Sequence, residues 1–202
     1  MRNFMFKYGI FGFLKLLSDY MKTRLFFKSS RLIRHPIDVR GKSSIDFGFG
    51  LTTGRYCRLE TYGSSNNNEK LMVLGERCQI NDFVHITATN KVIIGNDVLI
   101  ASKVYISDTN HGNYSGENQS DPSEIVSQRA LSSGTVIIGD NTWICEGVSI
   151  LSNVTLGCNV IIAANSVVTK SFPDDVILAG SPAKIIKKYN HDLKIWELQD
   201  GI

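Results

Sequence analysis

The fold is decided by residues 138–168, which read IGDNTWICEGVSILSNVTLGCNVIIAANSVV. Every sixth residue of this stretch is aliphatic, from Ile138 to Val168. The same spacing recurs in two groups upstream: Leu74, Ile80, Ile86, and Ile94, Ile100, Ile106. A period of six fits neither an α-helix nor a long alternating strand, but it fits a coil of short parallel strands joined by tight turns. The pattern therefore predicts an all-β solenoid with one aliphatic side chain of each strand on a shared axis.

The repeat divides the chain of 202 residues into three parts. We expect the solenoid domain at 41–180, a basic segment at 1–40 before it, and a tail at 181–202 after it. Residues 112–134 interrupt the repeat and are rich in Gly, Ser, Asn, Gln and Asp. A long polar excursion from a regular coil is typical of a functional loop, although a tolerated insertion is the alternative.

Positive charge is concentrated at the N-terminus, where residues 1–40 carry a net +7 and the remainder carries −4. Residues 8–27 place apolar side chains at helical spacing among lysines and arginines, which predicts a basic amphipathic helix. Its apolar stripe suits peripheral binding to an inner membrane, and it equally suits an N-terminal cap that packs on the first coil. The sequence of residues 185–198 predicts a C-terminal helix that lies across the last coil.

The composition also excludes several function classes. The body of the chain lacks the pervasive basicity of a nucleic-acid binder, so no nucleic-acid partner is expected. No run of 18 apolar residues is present, and we expect a cytoplasmic protein. The four cysteines form no C-x-x-C pair, so they are interpreted as reduced, buried side chains in preference to disulfides or zinc ligands, and no metal is expected.

One histidine stands out as a candidate for chemistry. His111 follows the run Ser107-Asp108-Thr109-Asn110, at the point where the regular coil opens into the polar loop. Imidazole changes protonation near neutral pH, which suits a general base, although a lone histidine can also be an ordinary surface residue. Three polar residues are candidates to orient the imidazole, and each could instead be a turn former or a solvated edge residue: Asp108, Asn110 and Glu146.

Several motifs resemble those of a known enzyme family. IGDNTWICEGVSIL at 138–151, AANSVVTK at 163–170 and AGSPAKII at 179–186 are similar to the signature of acetyl-CoA-dependent hexapeptide-repeat O-acetyltransferases. IRHPIDVRG at 33–41, TTGRYCRLE at 52–60 and IASKVYISDTNHG at 100–112 resemble bacterial O-acetyltransferases of O-antigen and capsule assembly. The resemblance implies a left-handed parallel β-helix, a homotrimer with its cleft between subunits, acetyl-CoA as acyl donor and a carbohydrate acceptor.

The resemblance also implies roles for individual residues. His111 matches the catalytic base, and Asn81 matches an acceptor-binding asparagine. Thr89 stands where galactoside acetyltransferases carry an acceptor-binding carboxylate, which argues against galactoside specificity. The donor site is implied at four positions, with Trp143 beside the acetyl and pantetheine end and three residues along the coenzyme A cleft: Ala164, Thr169 and Lys170. Lys184 could neutralise a coenzyme A phosphate.

Together these features predict an O-acetyltransferase that modifies a sugar hydroxyl of a bacterial surface polysaccharide or of its lipid-linked precursor. The chain has no G-x-S-x-G motif, which favours direct attack by the acceptor over an acyl-enzyme. Two alternatives stay open: an acetyltransferase acting on a xenobiotic or a free sugar, and a non-catalytic β-helix that serves in assembly.

Overall fold

The computed structural model describes residues 2–63 and 69–199. It begins with helix α1 (Arg2–Phe26), which is interrupted at Gly9, where φ is 64°. The strands before the polar loop are β1 (Leu32–Ile33), β2 (Ile37–Arg40), β3 (Ile45–Phe47), β4 (Thr52–Thr53), β5 (Cys57–Thr61), β6 (Met72–Leu74), β7 (Gln79–Ile80), β8 (His85–Ala88), β9 (Lys91–Ile94), β10 (Leu99–Ile100) and β11 (Tyr105–Ser107).

The remaining strands are β12 (Thr109–His111), β13 (Leu131–Ser133), β14 (Thr135–Ile138), β15 (Trp143–Ile144), β16 (Ser149–Ile150), β17 (Val154–Leu156), β18 (Ile161–Ile162), β19 (Val167–Val168), β20 (Val176–Gly180), β21 (Ala183–Asn190) and β22 (Ile195–Leu198). Two short 3₁₀ helices occupy Lys42–Ser44 and Val126–Gln128.

Successive strands visit three parallel sheets in turn. Sheet A contains β1-β4-β7-β10-β15-β18-β20, sheet B contains β2-β5-β8-β11-β16-β19, and sheet C contains β3-β6-β9-β14-β17. Because the chain passes from A to B to C and back to A, it winds as a coil whose three faces are the sheets. The predicted parallel solenoid is therefore confirmed.

The six-residue period corresponds to the inward-facing position of the strands. All twelve aliphatic residues of the repeat are buried, with at most 2% of each side chain exposed. In-register pairing stacks them along the axis, as in Ile80, Ile100, Ile144 and Ile162 of sheet A. Fully burying one such side chain contributes roughly 1.5–3 kcal/mol, so these ladders form the main core.

Close stacking of the turns explains the small residues that follow the aliphatic ones. A Cβ atom at Gly75 would overlap the carbonyl oxygen of Gly95 in the next coil, and Gly139 meets Gly157 in the same way. The turns also require a residue in the left-handed region, and asparagine tolerates this better than most side chains. Asn159 (φ 59°) is an example.

Helix α1 packs its narrow polar side on the first coil. The hydroxyl of Thr23 accepts a hydrogen bond from the backbone N–H of Ile33 at 2.8 Å. The buried carboxylate of Asp19 forms an ion pair with Arg55 at 2.9 Å and accepts a hydrogen bond from the backbone N–H of His35. These contacts support the prediction that the helix caps the solenoid.

Two predicted boundaries differ from the structure. The solenoid begins at Leu32, because β1 and β2 already belong to sheets A and B. The predicted helical tail at 181–202 is wrong: its described part, to residue 199, contains β21 and β22. β21 pairs antiparallel with β20, the last strand of the coil, so the backbone groups at that open edge are satisfied by strand pairing.

The chain turns between sheets along edges of the coil, and two of them carry the candidate site. The A–B edge comprises the turns at 34–36, 54–56, 81–84, 101–104, 145–148 and 163–166. The B–C edge comprises 41–44, 62–63 with 69–71, 89–90, 108–134, 151–153 and 169–171. Thus the long polar excursion projects from the B–C edge.

A buried carboxylate on the outer face of sheet B holds several polar side chains together. Glu60 is 1% exposed and forms ion pairs with Arg58 at 2.7 Å and Arg40 at 3.2 Å. It also accepts the Tyr62 hydroxyl and contacts Nε2 of His85 at 2.7 Å. Burial acts to raise the pKa of Glu60, but contacts with Tyr62, Arg58 and His85 outweigh it and lower the pKa.

We expect Glu60→Gln to lower the free energy of unfolding at neutral pH by about 1–3 kcal/mol, because the neutral amide weakens these contacts. A carboxyl group whose pKa is lowered in the folded state stabilises the fold at pH values above its ordinary pKa of 4.5. This contribution is lost as the pH falls through the folded-state pKa. The difference between variant and wild type should therefore shrink in acid. Urea unfolding at neutral and acidic pH measures this difference in the free energy of unfolding. The control is Glu69→Gln, which changes the exposed partner of Lys91 in a surface ion pair. An equal difference at both pH values would contradict the assignment.

Candidate active site

His111 lies in a short hairpin at the base of the polar loop. It ends strand β12, which pairs antiparallel with β13 and places His111 opposite Leu131. The hairpin follows β11 of sheet B directly, so the regular coil positions the first residue of the loop. The His111 side chain is exposed, and it is thereby accessible to a substrate at the B–C edge.

The loop is organised around Arg129, which belongs to none of the motifs in the sequence. Nη2 of Arg129 donates to the carbonyl oxygens of Asp121, Pro122 and Glu124 at 3.1–3.2 Å. Nη1 of Arg129 donates to the hydroxyl of Tyr114 at 2.8 Å, and this hydroxyl donates to the carbonyl oxygen of His111. The loop interior is therefore tied to the backbone of His111. Nothing in the sequence spacing of these residues indicates that contact.

Asp108 does not orient the imidazole. Its carboxylate is fully buried and accepts hydrogen bonds from the backbone N–H groups of Thr89, Asn90 and Lys91 at 2.7–3.1 Å. It also accepts the hydroxyl of Thr109 at 2.5 Å. With these donors the carboxylate is occupied by a neighbouring turn, so the expected direct role at His111 is corrected to anchoring the base of the hairpin.

The other two candidate orienting residues do not reach the imidazole either. Glu146 lies on the A–B edge, where its carboxylate pairs with Lys103 at 3.0 Å. Asn110 is exposed and pairs through its backbone with Ser132. Within the described part of a single chain, neither side chain hydrogen-bonds to His111, so an orienting contact from either residue stays a prediction.

The predicted acceptor residues lie on two different edges. Asn81 follows β7 on the A–B edge, where its backbone N–H bonds to the carbonyl of Ile100 in the next coil. Thr89 lies on the B–C edge, and its hydroxyl forms a hydrogen bond of 2.7 Å with the hydroxyl of Thr109, two residues before His111. The four residues of β8 separate the two edges, which corresponds to about 13 Å.

The predicted coenzyme A residues divide in the same way. Trp143 projects from the outer face of sheet A beside the A–B edge with 47% of its side chain exposed. Ala164 lies exposed on that edge, and Lys184 is exposed on β21, opposite Ala179. Thr169 and Lys170, by contrast, follow β19 and are exposed on the B–C edge.

One chain therefore presents two groups of candidate residues on separate edges. The A–B edge carries Asn81, Trp143, Ala164 and Lys184, and the B–C edge carries Thr89, His111, Thr169 and Lys170. The exposed indole of Trp143 offers apolar contact to a pantetheine arm, and the ammonium of Lys184 suits a phosphate. Within the described residues, no three His, Cys, Asp or Glu side chains are grouped so that they could hold a metal ion.

Comparison with known proteins gives a consistent result. The family model described as bacterial transferase hexapeptide (six repeats) matches residues 135–170. The chain is 42% identical over 192 residues, or 95% of each protein, to WbbJ of Escherichia coli K12, which is named for an O-acetyl transferase role in lipopolysaccharide biosynthesis. It is 30% identical to the galactoside O-acetyltransferase of the same organism, over 82% of this chain and 77% of that protein.

Two solved structures are similar as well. AntD, an N-acyltransferase of Bacillus cereus in complex with dTDP and 3-hydroxybutyryl-CoA, superposes with a TM-score of 0.68 at 18% identity, over 87% of this chain and 92% of that chain. A galactoside acetyltransferase in complex with coenzyme A has a TM-score of 0.51 at 27% identity, over 82% and 65% of the two chains. The chain described here belongs to the hexapeptide-repeat acetyltransferases and is an acetyl-CoA-dependent O-acetyltransferase.

Proposed function

We propose that the protein transfers the acetyl group of acetyl-CoA to a sugar hydroxyl of a bacterial surface polysaccharide or of its lipid-linked precursor. The observation that carries this proposal is the 42% identity to WbbJ over 95% of both chains. The direct test is mass spectrometry of the polysaccharide from producing cells with and without the protein. Loss of an O-acetyl group on deletion, restored by the intact gene, supports the proposal. An unchanged acetyl content contradicts it.

His111 acts in this proposal as the general base. The imidazole takes the proton of the acceptor hydroxyl while the hydroxyl oxygen attacks the thioester carbonyl carbon of acetyl-CoA. The carbon–sulfur bond then breaks, the imidazolium gives its proton to the departing coenzyme A sulfur, and the sugar ester is formed. The exposed position of His111 on the hairpin supports this role, because the base must contact a bulky acceptor.

The division of the candidate residues supports a site between subunits. If Asn81 and His111 serve one acceptor, the two edges of a single chain cannot supply both without spanning sheet B. Adjacent subunits of a homotrimer would bring the A–B edge of one chain to the B–C edge of the next. The left-handed winding that the family resemblance implies belongs to the same proposal.

Mixed trimers test the shared site. We expect Asn81→Ala to weaken kcat/KM by about tenfold through a lost hydrogen bond to the acceptor, and His111→Ala to be nearly inactive. Refolding the two variants together should restore some activity, because a site using Asn81 from one chain and His111 from the next escapes both changes. At equal amounts, about a quarter of the sites are intact. Activity equal to the average of the separate variants would show that both residues serve the same chain's site.

Membrane association forms a separate part of the proposal. The outward side of α1 exposes a stripe of large apolar residues that includes Ile10, Phe11, Leu14, Met21 and Leu25. Lys15, Lys22 and Lys28 are exposed among them. Among the described residues, no helix has both the length and the apolarity needed to span a bilayer. The cap contacts and this exposed face use different sides of one helix, so the two interpretations are compatible.

We expect the protein to float with anionic phospholipid vesicles and to be released by added salt, since each basic residue near an anionic surface contributes roughly 1 kcal/mol. The double variant Phe11→Ser/Leu14→Ser should lose most of this binding. Leu193→Ser, an exposed leucine far along the chain, is the matched control. Recovery in the unbound fraction with anionic and neutral vesicles alike would contradict a membrane role and leave α1 as a cap.

A sugar acceptor of low molecular weight is the second candidate, and the 30% identity to a galactoside O-acetyltransferase favours it. The two functions predict different acceptors. Comparable kcat/KM for free galactosides and for the producing cell's polysaccharide units would favour the second candidate.

A further inference from the structure

A groove lies between α1 and the outer face of sheet A. Its volume is about 680 Å³. The helix supplies one wall through Phe13, Leu16, Leu17 and Tyr20, and this wall is almost entirely apolar. No residue of the acetyl-transfer proposal lines it, so its shape and chemistry call for a separate explanation.

The floor of the groove leads toward the acceptor residues. Leu32, Thr52 and Gln79 form it, and they are aligned in register on β1, β4 and β7. Asn81 lies two residues after Gln79 on the same run of chain. Trp143 lies two strands further along the sheet in register with Gln79, or about 10 Å away. A ligand in the groove would therefore end beside the proposed site.

Basic side chains from both the helix and the coil line the groove. Arg24, Arg31 and Arg34 all contribute to its surface, and no carboxylate is among the residues that line it. Arg34 donates to the carbonyl oxygen of Thr53 at 3.0 Å, and the guanidinium of Arg24 lies 4.9 Å from the centre of the Tyr20 ring. These contacts position the two guanidinium groups without neutralising them.

The acids around the groove are already paired: Asp19 on α1 forms an ion pair with Arg55, and a second acid belongs to the adjoining depression. Asp97 lines that depression, and both of its oxygens accept hydrogen bonds from Arg77 at 2.7–2.8 Å. The groove thus combines a positive end with an apolar wall. Such a surface complements an amphiphile that carries a phosphate group, because guanidinium groups bind phosphate oxygens through paired hydrogen bonds.

The groove is also continuous with the exposed face of α1. Leu17 lines the groove and is 48% exposed, and Leu14 and Met21 on neighbouring turns are 54% and 56% exposed. An apolar chain leaving the groove would thus stay on apolar surface. The wall offers few polar groups to a nucleoside base, which argues against a nucleotide. Lys184, the proposed phosphate contact for coenzyme A, lies at the opposite end of sheet A.

We infer that this groove binds the lipid diphosphate of a lipid-linked saccharide, with the diphosphate on Arg31 and Arg34 and the first part of the lipid chain along α1. The sugar would then extend past Gln79 toward Asn81. This inference rests on the proposed function, which it deepens by naming the form of the acceptor.

The test uses the full chain and farnesyl diphosphate, a soluble probe that carries both chemical features. Titration calorimetry should show saturable binding, one probe per chain, with farnesol and inorganic pyrophosphate binding at least about tenfold more weakly. The double variant Arg31→Gln/Arg34→Gln should bind the probe at least about tenfold more weakly, because charge-assisted hydrogen bonds to the diphosphate are lost. Lys194→Gln, at the exposed turn between β21 and β22, is the control. Arg31→Gln alone provides a second variant, since the Arg31 side chain is exposed and we expect its replacement to change the stability of the fold little.

Four outcomes would overturn the inference. They are a lack of saturable binding, equal binding of pyrophosphate or farnesol, displacement of the probe by acetyl-CoA, and loss of oligomers in the arginine variants by light scattering. The last would identify the groove as an interface between copies of the chain. If the probe does not bind the groove but the protein still acetylates a soluble sugar in a reaction that depends on His111, the proposed function stays in place. Probe binding together with full activity of His111→Ala would instead reject the proposed mechanism.

Discussion

Replacing His111 by alanine should lower kcat by about 10² to 10⁴ while leaving acetyl-CoA binding nearly unchanged. The reason is that the imidazole removes the acceptor proton but contributes no contact to the donor in the proposed reaction. Its exposed side chain leaves the loop contacts of Tyr114 and Arg129 intact, because Tyr114 bonds to the backbone carbonyl of His111. Steady-state kinetics with the identified acceptor and calorimetric titration of acetyl-CoA measure the two effects separately.

A second substitution in the same loop controls for nonspecific damage. Glu117 is exposed on the polar excursion, and Glu117→Ala should retain nearly full activity. A His111→Ala protein that keeps more than about a tenth of the wild-type kcat would lie outside the range for loss of a general base. The proton acceptor would then have to be sought elsewhere on the two edges.

Asp108→Ala should produce the largest loss of stability among the site substitutions, about 2–4 kcal/mol. The change leaves the backbone N–H groups of Thr89, Asn90 and Lys91 without their acceptor. A fully buried unsatisfied donor costs about 1–3 kcal/mol, and these three part-buried donors each recover part of that cost from water. Because this turn supports the base of the hairpin, His111 should also shift. Catalysis is sensitive to displacements of about 1 Å, so kcat should fall at least about tenfold.

Asp140 provides a matched comparison for Asp108. It also accepts a hydrogen bond from the backbone of the preceding coil, at Asn96 N, but its side chain is exposed and water can replace it. Asp140→Ala should therefore lower the free energy of unfolding by about 0.5–1.5 kcal/mol and leave kcat unchanged. Equal losses from both substitutions in urea titrations would refute the anchoring role of the buried carboxylate.

The coil itself could be predicted because its period has a simple geometric cause. One aliphatic side chain of each short strand must enter the axis, so residues such as Ile100 and Ile144 repeat at the spacing of the turns. The C-terminal element could not be predicted in the same way. Ile185 and Ile186 are compatible with a helix or a strand, and the unpaired edge of β20 decided in favour of a strand.

The candidate site was only partly predictable for a different reason. His111 can be selected as a candidate from its position at the opening of the coil. The distribution of the other candidate residues over two edges, however, depends on how many residues each face of the coil contains. Similarly, the closeness of Asp108 to His111 in sequence predicts an orienting group. In three dimensions its side chain points into the turn at 89–91, and no spacing rule shows this direction.

The two ends of the solenoid are closed by unrelated elements, and this has a consequence for assembly. A bare end of a parallel coil would present unpaired strands to another molecule, and repeated pairing of this kind produces fibres. At the first coil α1 occupies that position, and at the last coil the lysine-rich strand β21 reverses direction. Extension of sheet A is thereby opposed at both ends, which favours side-by-side association of copies, with their number limited by rotational closure.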